Sequence, residues 1–260
     1  MRWTERPKIA FFSFTSCEGC QLMVLNCEEE LKDLALRVDV VNFREAMDLK
    51  REDYKVAFIE GSITREEEVE KVKEIRQRAE VVITLGACST TGGINALKNR
   101  FSVDYVTELV YGKNPPNMGL VENIPAMPVD RVVEVDYHLP GCPISKEEFL
   151  GFVKALTLGI PPRLPEYPVC NECKMEGNIC VFETGRTCMG PVTRGGCRAV
   201  CVSFGAICWG CRGTFEYANI DAHRETLKNH GLSEEEITEK FDLYNSFYIH
   251  GKGGCTKTTT

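Results

Sequence analysis

The sequence lacks the features of several common protein classes. Its 260 residues include 31 Lys or Arg and 38 Asp or Glu, a net charge of -7, and no stretch interleaves basic with aromatic residues. Nucleic acid is therefore not an expected partner. No window reaches the roughly 18 apolar residues of a membrane span, and the N-terminal MRWTERPKIAFF has neither an apolar export segment nor twin arginines. We expect a cytoplasmic protein without a membrane span.

Cysteine, in contrast, is abundant, with 14 in the chain. Thiols stay reduced in the cytoplasm, so a disulfide framework is not expected there. So many free thiols would be exposed to oxidation if they had no role. Their number therefore indicates metal binding or a redox function. Eight of the cysteines fall in one short segment, at Cys170, Cys173, Cys180, Cys188, Cys197, Cys201, Cys208 and Cys211.

Three chemistries could use this segment, namely disulfides, zinc sites and iron-sulfur clusters. Thiolates in CxxC pairs such as CNEC and CWGC suit tetrahedral zinc. Zinc ribbons usually place their ligands in two clean pairs, however, and here single cysteines stand between the pairs. Iron-sulfur clusters also take four thiolates each, so eight cysteines supply two complete sets. We therefore favour two iron-sulfur clusters in residues 170–211.

The N-terminal part alternates short apolar runs with helical patterns. Strands are predicted from Lys8 and at 38–43, 55–61, 80–86 and 131–136. Helices are predicted at 20–35 and 65–79, after Ser145, and at 233–245, while GACSTTGG at 86–93 is predicted to be a turn. This alternation predicts an α/β fold with a flavodoxin-like parallel sheet. The stiff PPRLPEYP at 161–168 separates a predicted domain 1–162 from a small irregular cysteine-rich domain 163–260.

A further cysteine group follows the predicted strands. Cys17 and Cys20 come just after the first strand, Cys88 after the fourth and Cys142 after the fifth. The carboxyl edge of an open α/β sheet is where ligands bind, and four thiolates from three loops suit a cubane cluster. One alternative is a thioredoxin-like pair at CEGC, which leaves Cys88 and Cys142 unexplained. Another is a phosphate loop at 86–93, which lacks the P-loop lysine.

Together these motifs resemble the small subunit of nickel-iron hydrogenases. In the first half the resemblance rests on SCEGC at 16–20, EGSI at 60–63, GACSTTGG at 86–93 and PGCP at 140–143. In the second half it rests on CMGPVTRGGC at 188–197 and CWGC at 208–211. The chain is most similar to the cytoplasmic branch of the family, with the sulfhydrogenase delta subunits and methanogen hydrogenase small subunits.

The resemblance implies three 4Fe-4S clusters and a ligand set for each. The proximal set is Cys17, Cys20, Cys88 and Cys142. The distal set is Cys170, Cys173, Cys180 and Cys188, and the medial set is Cys197, Cys201, Cys208 and Cys211. Many exported relatives have histidine at the position of Cys170 and proline at that of Cys201. A thiolate at Cys201 favours a four-iron medial cluster of lower potential.

The implied function is electron transfer within a hydrogen:acceptor oxidoreductase. The nickel site would lie in a partner large subunit, and electrons would leave to flavin- or iron-sulfur-containing subunits. Two other functions stay open. A complex I-like quinone-linked subunit would lack residues 170–211, and a zinc-bearing scaffold would have no redox role.

Three further residues lie outside these ligand sets. Glu60 ends the third strand and is either an ordinary loop carboxylate or a group that tunes the proximal site or passes protons. Cys27 is predicted to be a core thiol, and Cys255 has no obvious partners.

Overall fold

A five-stranded parallel sheet forms the centre of the first half. A computed structural model describes residues 5–48, 50–113 and 123–250. The strands in these ranges are β1 Lys8–Ser13, β2 Asp39–Asn42, β3 Val56–Glu60, β4 Ile63–Arg65, β5 Val81–Leu85, β6 Asn123–Met127 and β7 Tyr137–Leu139. Five of them form one sheet in the order β2-β1-β3-β5-β7, with every neighbouring pair parallel. This is the flavodoxin-like strand order, and it confirms the predicted fold class.

Helices cover both faces of this sheet and recur through the described part of the second half. The α-helices in the described ranges are α1 Gly19–Leu25, α2 Glu29–Arg37, α3 Glu66–Arg78, α4 Gly86–Thr91, α5 Val103–Tyr111, α6 Lys146–Thr157, α7 Val169–Met175, α8 Val200–Ser203, α9 Ile220–Asn229 and α10 Glu234–His250. None of the helices in the described part of the chain has the length and apolar content needed to cross a bilayer.

Two apolar clusters hold the sheet between its helices. On one face Phe11 stacks on Phe43 and Phe58, with ring centroids 4.3 and 4.9 Å apart, and Phe149 of α6 covers them. On the other face Val72 and other residues of α3 pack against the alternate side chains of the same strands. Because both faces are covered, the strands are almost continuously apolar.

The strand register aligns the carboxyl ends of four strands. Ser13 pairs with Glu60, Glu60 with Leu85, and Leu85 with Leu139. The loops after β1, β3, β5 and β7 therefore start from one edge of the sheet. These loops carry the cysteines of the proximal set.

The prediction of the last strand is wrong. Residues 131–136 do not pair with the sheet, and β7 lies just beyond them at Tyr137–Leu139. Val132, Val133 and Val135 instead cover the cluster on the α3 face as a loop. The Asp136 carboxylate accepts the Val82 backbone N–H at 2.8 Å, which ends the loop where β7 begins.

Two further predictions of local structure are corrected. The single helix predicted at 20–35 is two helices, because Glu28 adopts a φ of 40° and the buried Cys27 lies in the turn between them. The turn predicted at 86–93 contains α4. There the Ser89 and Thr90 hydroxyls donate to the Leu85 and Gly86 carbonyls, four residues earlier, at 2.7 and 3.0 Å.

The predicted C-terminal helix is present as α10. Its first turn has a reciprocal capping box, in which Ser233 N donates to Glu236 and Glu236 N donates to Ser233 Oγ, at 2.8 and 3.2 Å. The helix packs on the first half of the chain, against α4 and the 3-10 helix Ile94–Arg100. The Tyr248 hydroxyl donates to the Thr90 carbonyl at 3.2 Å.

Candidate metal centres

The proximal set meets at the carboxyl edge of the sheet. Cys20 is buried at the start of α1, Cys88 lies in α4, and Cys17 and Cys142 are exposed on their loops. The Cys20 thiol lies close enough to Cys88 and Cys142 for their charges to act on it, and Cys88 is similarly influenced by Cys17. Cys142 is in turn influenced by Cys17, so the four thiols form one group from three loops.

Glycines leave space beside these sulfurs. A Cβ at Gly86 would collide with Cys20 Sγ, and one at Gly93 would lie 3.1 Å from Cys88 Sγ. Both glycines also have positive φ, of 81° and 54°, which side chains rarely adopt. The loops are therefore shaped around the thiol group.

The environment of these thiols suits a bound cation. Burial raises the pKa of Cys20 above its usual range and that of Cys88 to about 12, and neighbouring negative charges add to both shifts. A metal ligand must nevertheless be a thiolate. A positively charged group bound among the thiols would offset the cost of burying their negative charge as thiolates. The donor set therefore fits an iron-sulfur cluster.

Glu60 holds the loop that carries Cys20. Its carboxylate is buried and accepts the backbone N–H groups of Cys20 and Gln21 at 3.0 and 3.1 Å. It also accepts the Gln21 side-chain amide at 3.1 Å. The carboxylate thus binds the N-terminus of α1, where negative charge is favoured, and fixes the position of Cys20.

Replacing Glu60 with glutamine is expected to loosen this loop. The amide NH2 of Gln cannot accept, so at least one buried N–H loses its partner at a cost of about 1–3 kcal/mol. Hydrogen exchange of the Cys20 and Gln21 amides should therefore quicken about tenfold or more. Glu67→Gln, an exposed carboxylate of α3, is the matched control. Unchanged protection at Cys20 in the Glu60 variant would contradict this positioning role.

The distal set also forms one group. Cys170 and Cys173 lie on α7, and charges at Cys180 and Cys188 act on both thiols. Burial is the main reason that the pKa of Cys170 rises to about 12. A Cβ at Gly190 would lie 3.3 Å from Cys170 Sγ and 3.4 Å from Cys188 Sγ, so a glycine again makes room.

The medial set is brought together in part. Cys211 lies near Cys197 and Cys201, and burial raises its pKa to about 12. Cys208 instead lies against Cys188 of the distal set, and its N–H donates to Cys188 Sγ at 3.3 Å. The Cys208 thiol also donates to that sulfur, which lowers the pKa of Cys188 and raises that of Cys208. Sequence spacing gives no sign of this contact.

The described residues contain no ready-made position for a single metal ion. Within the residues that the structure describes, no three Cys, His, Asp or Glu side chains converge on one metal-ion position. A tetrahedral zinc ion needs all its thiolates about 2.3 Å from one point. A cluster binds its thiolates at separate iron corners and needs wider spacing.

Two side chains beside these sites were not identified from the sequence. The Tyr244 phenol of α10 hydrogen-bonds to Cys142 and lies near Cys201 and Cys211, between the proximal and medial sets. Arg212, next to Cys211, is 3% exposed and bonds to loops of both halves. The position of Arg212 directly after CWGC could have indicated that it lies near a metal site. Nothing in the sequence indicates that Tyr244 is on the face of α10 that meets Cys142.

The remaining cysteines stand apart from these groups. Cys27 is fully buried in the apolar cluster with Phe11, which agrees with its predicted role as a core thiol. Burial raises its pKa to about 11. Cys255 lies outside the described residues.

Comparison with known proteins gives related chains over nearly the whole length. Residues 17–156 match the family described as NADH ubiquinone oxidoreductase, 20 kDa subunit. The sulfhydrogenase 2 subunit delta of Pyrococcus furiosus is 37% identical over 239 residues, which cover 91% of this chain and 98% of that one. A subunit of the vhu F420-non-reducing hydrogenase of Methanococcus voltae is 31% identical, and the match covers 94% of this chain and 96% of that one.

A solved structure is similar over a large part of the chain. The crystal structure of an NAD+-reducing [NiFe]-hydrogenase in the H2-reduced state contains a chain with 29% identity and a TM-score of 0.58. The match covers 62% of this chain and 96% of that chain.

Proposed function

Because this chain belongs to the NADH ubiquinone oxidoreductase 20 kDa subunit family, and within it to the small subunits of nickel-iron hydrogenases, we propose that it relays electrons between a large subunit's nickel site and an acceptor-binding subunit. The enzyme of which it forms part is a hydrogen:acceptor oxidoreductase. The observation that carries the relay is the meeting of Cys17, Cys20, Cys88 and Cys142 at one sheet edge.

Three ligand sets hold three clusters in this proposal. Bound 4Fe-4S clusters supply reversible one-electron chemistry at low potential. The proximal and distal sets are supported by the grouping of their four thiols each. Cys208 is assigned to the medial set because Cys188 already completes the distal one. Cys201 then provides the fourth medial thiolate.

The large subunit covers the proximal edge in this proposal. Cys17 and Cys142 are exposed at that edge, where a cluster would be open to water and oxygen without a partner. The nickel site belongs to the large subunit, because the grouped cysteines of this chain are all assigned to clusters. Acceptor subunits with flavin or iron-sulfur groups complete the complex, which we place in the cytoplasm.

The proposed division of the chain is 1–162 and 163–260. No helix or strand lies between Thr157 and Val169, which supports a boundary in the proline-rich segment. In this division α10 belongs to the second part and packs back on the first.

The alternatives have less support. A zinc scaffold would leave the similarity to hydrogenase subunits over more than nine-tenths of the chain unexplained. A quinone-linked subunit of the complex I type agrees with the family match, but that match ends at residue 156, before the cysteines of residues 170–211. Electron transfer through further clusters gives those cysteines a function, and a quinone-linked subunit does not.

Metal content tests the proposal. The complex, purified anaerobically through a tag on this chain, is expected to hold about twelve irons per chain, from four in each of three clusters, and nickel only in the co-purified large subunit. It should be brown, bleach with dithionite, and reduce dyes with hydrogen. About eight irons would mean that one ligand set is wrong. A colourless zinc protein, or a complex without hydrogen-dependent activity, would reject the function.

A further inference from the structure

Arg212 is a buried cation whose bonds join separate loops. Its side chain is 1% exposed. Nη1 donates to the Pro140 carbonyl at 2.7 Å, and Nε donates to the Gly195 carbonyl at 2.7 Å. Nη2 donates to Glu148 Oε1 of α6 at 2.7 Å. One planar guanidinium therefore binds three segments that are far apart in the sequence.

Two of these segments lie close to a cluster ligand in the sequence. Pro140 is two residues before Cys142 of the proximal set, and Gly195 is two residues before Cys197 of the medial set. Arg212 itself directly follows Cys211, also of the medial set. The hydrogen bonds of one side chain thus connect the proximal loop with both ends of the medial set.

A second buried carboxylate extends the junction to the distal set. Glu172 lies between Cys170 and Cys173 on α7, and its Oε1 accepts the Gly196 N–H at 2.6 Å. A Cβ at Gly196 would collide with both the Arg212 guanidinium and Glu148 Oε1. The backbone at this point approaches the charged groups as closely as glycine allows.

Stability alone does not explain a charged group at this position. Burying an ion pair costs desolvation, and apolar residues of similar volume are often as stable or more so. Lysine has a compact ammonium group. It cannot replace the planar guanidinium, whose N–H groups donate to several carbonyls at once. The arrangement fits a requirement for geometry, since electron transfer slows steeply as the distance between centres grows.

We propose that Arg212 is a positioning residue that fixes the proximal and medial ligand loops relative to each other and so sets the distance between the two clusters. This inference rests on the proposed function. Arg212 lies outside the ligand sets, and the hydrogen bonds that it donates to the loop carbonyls have this positioning role. The ion pair with Glu148 has a supporting part only.

Electron paramagnetic resonance of the dithionite-reduced complex tests the inference. Reduced clusters are paramagnetic, and neighbouring ones split each other's signals by an amount that depends on their separation. Arg212→Lys keeps the positive charge but cannot donate to both loop carbonyls at once. It should therefore lose or change the splitting between the proximal and medial signals. Glu148→Gln keeps the carbonyl bonds and should retain the splitting. Arg198→Lys, an exposed arginine that directly follows Cys197, is the control.

The possible outcomes separate the inference from its premise. Wild-type splitting in Arg212→Lys, or a change in Glu148→Gln alone, would overturn the inference and leave the proposed function intact. Iron loss limited to the proximal and medial sites, with the sheet still protected in hydrogen exchange, would support it. Loss of protection throughout the sheet would overturn it, because Arg212 would then be a general stabiliser. A wild-type complex without cluster signals would overturn both proposals.

Discussion

Replacement of Cys88 by alanine is expected to lower hydrogen-dependent dye reduction by the complex more than about 100-fold. Cys88 is a proposed proximal ligand, and even partners that only support metal ligands cost roughly 10- to 100-fold when removed. Without its thiolate one iron of the proposed proximal cluster would lose its protein ligand, at the site that we propose to lie nearest the nickel of the large subunit. Activity of the purified complex with a high-potential dye, and iron per chain, are the measurements.

Cys27→Ala is the matched control for this variant. Cys27 is fully buried, as a ligand in a protein interior could be, but it lies in the apolar cluster with Phe11 and in none of the three sets. The control should keep its iron and its activity. Near-normal activity and iron content in Cys88→Ala would remove Cys88 from the proximal set.

Iron removal is expected to unfold residues 169–212 while the sheet stays folded. The apolar cluster in this segment has five buried members, Val169, Val181, Cys188, Ala199 and Cys208. Cys188 and Cys208 belong to the proposed ligand sets, so this cluster depends on the metal. The other buried apolar residues of the segment, Met189 and Val192, pack on residues outside it. The clusters around β1, β3 and β5 contain large aliphatic and aromatic residues and only a few cysteines.

Hydrogen exchange with mass spectrometry resolves the two halves. After anaerobic chelation, peptides from 169–212 should exchange near the rate of an unfolded chain, and those from β1, β3 and β5 should keep their protection. Mock-treated complex is the control. Equal loss of protection in both halves would contradict a boundary at 161–168.

The sequence was sufficient to predict the sheet because local pattern and global fold agree there. Val56–Glu60 and Val81–Leu85 are short apolar runs, and every one of their residues is buried. The same reasoning failed at 131–136, because a loop that covers an apolar cluster has the same composition as a strand. Burial alone does not distinguish the two, and only the pairing of Tyr137–Leu139 with β5 decides.

The candidate sites show a similar limit. The carboxyl ends of parallel strands meet at one edge, which was enough to propose the four proximal cysteines. The division of the other eight cysteines into a distal and a medial set came from the resemblance to hydrogenase small subunits. The contact of Cys208 with Cys188, and the bonds of Arg212 to Pro140 and Gly195, depend on how loops distant in sequence pack together. No local pattern records those distances.

The placement of α10 restricts how this protein could be shortened by design. Its Phe247 is buried against Ala96 and Ala126 of the first half, and Tyr248 holds the carbonyl of Thr90 in α4, which also carries Cys88. A simplified single-cluster protein made by cutting the chain at residue 162 would uncover this surface. A designer would need to graft α10 back through a new linker, or replace the exposed alanines and α4 surface with polar residues.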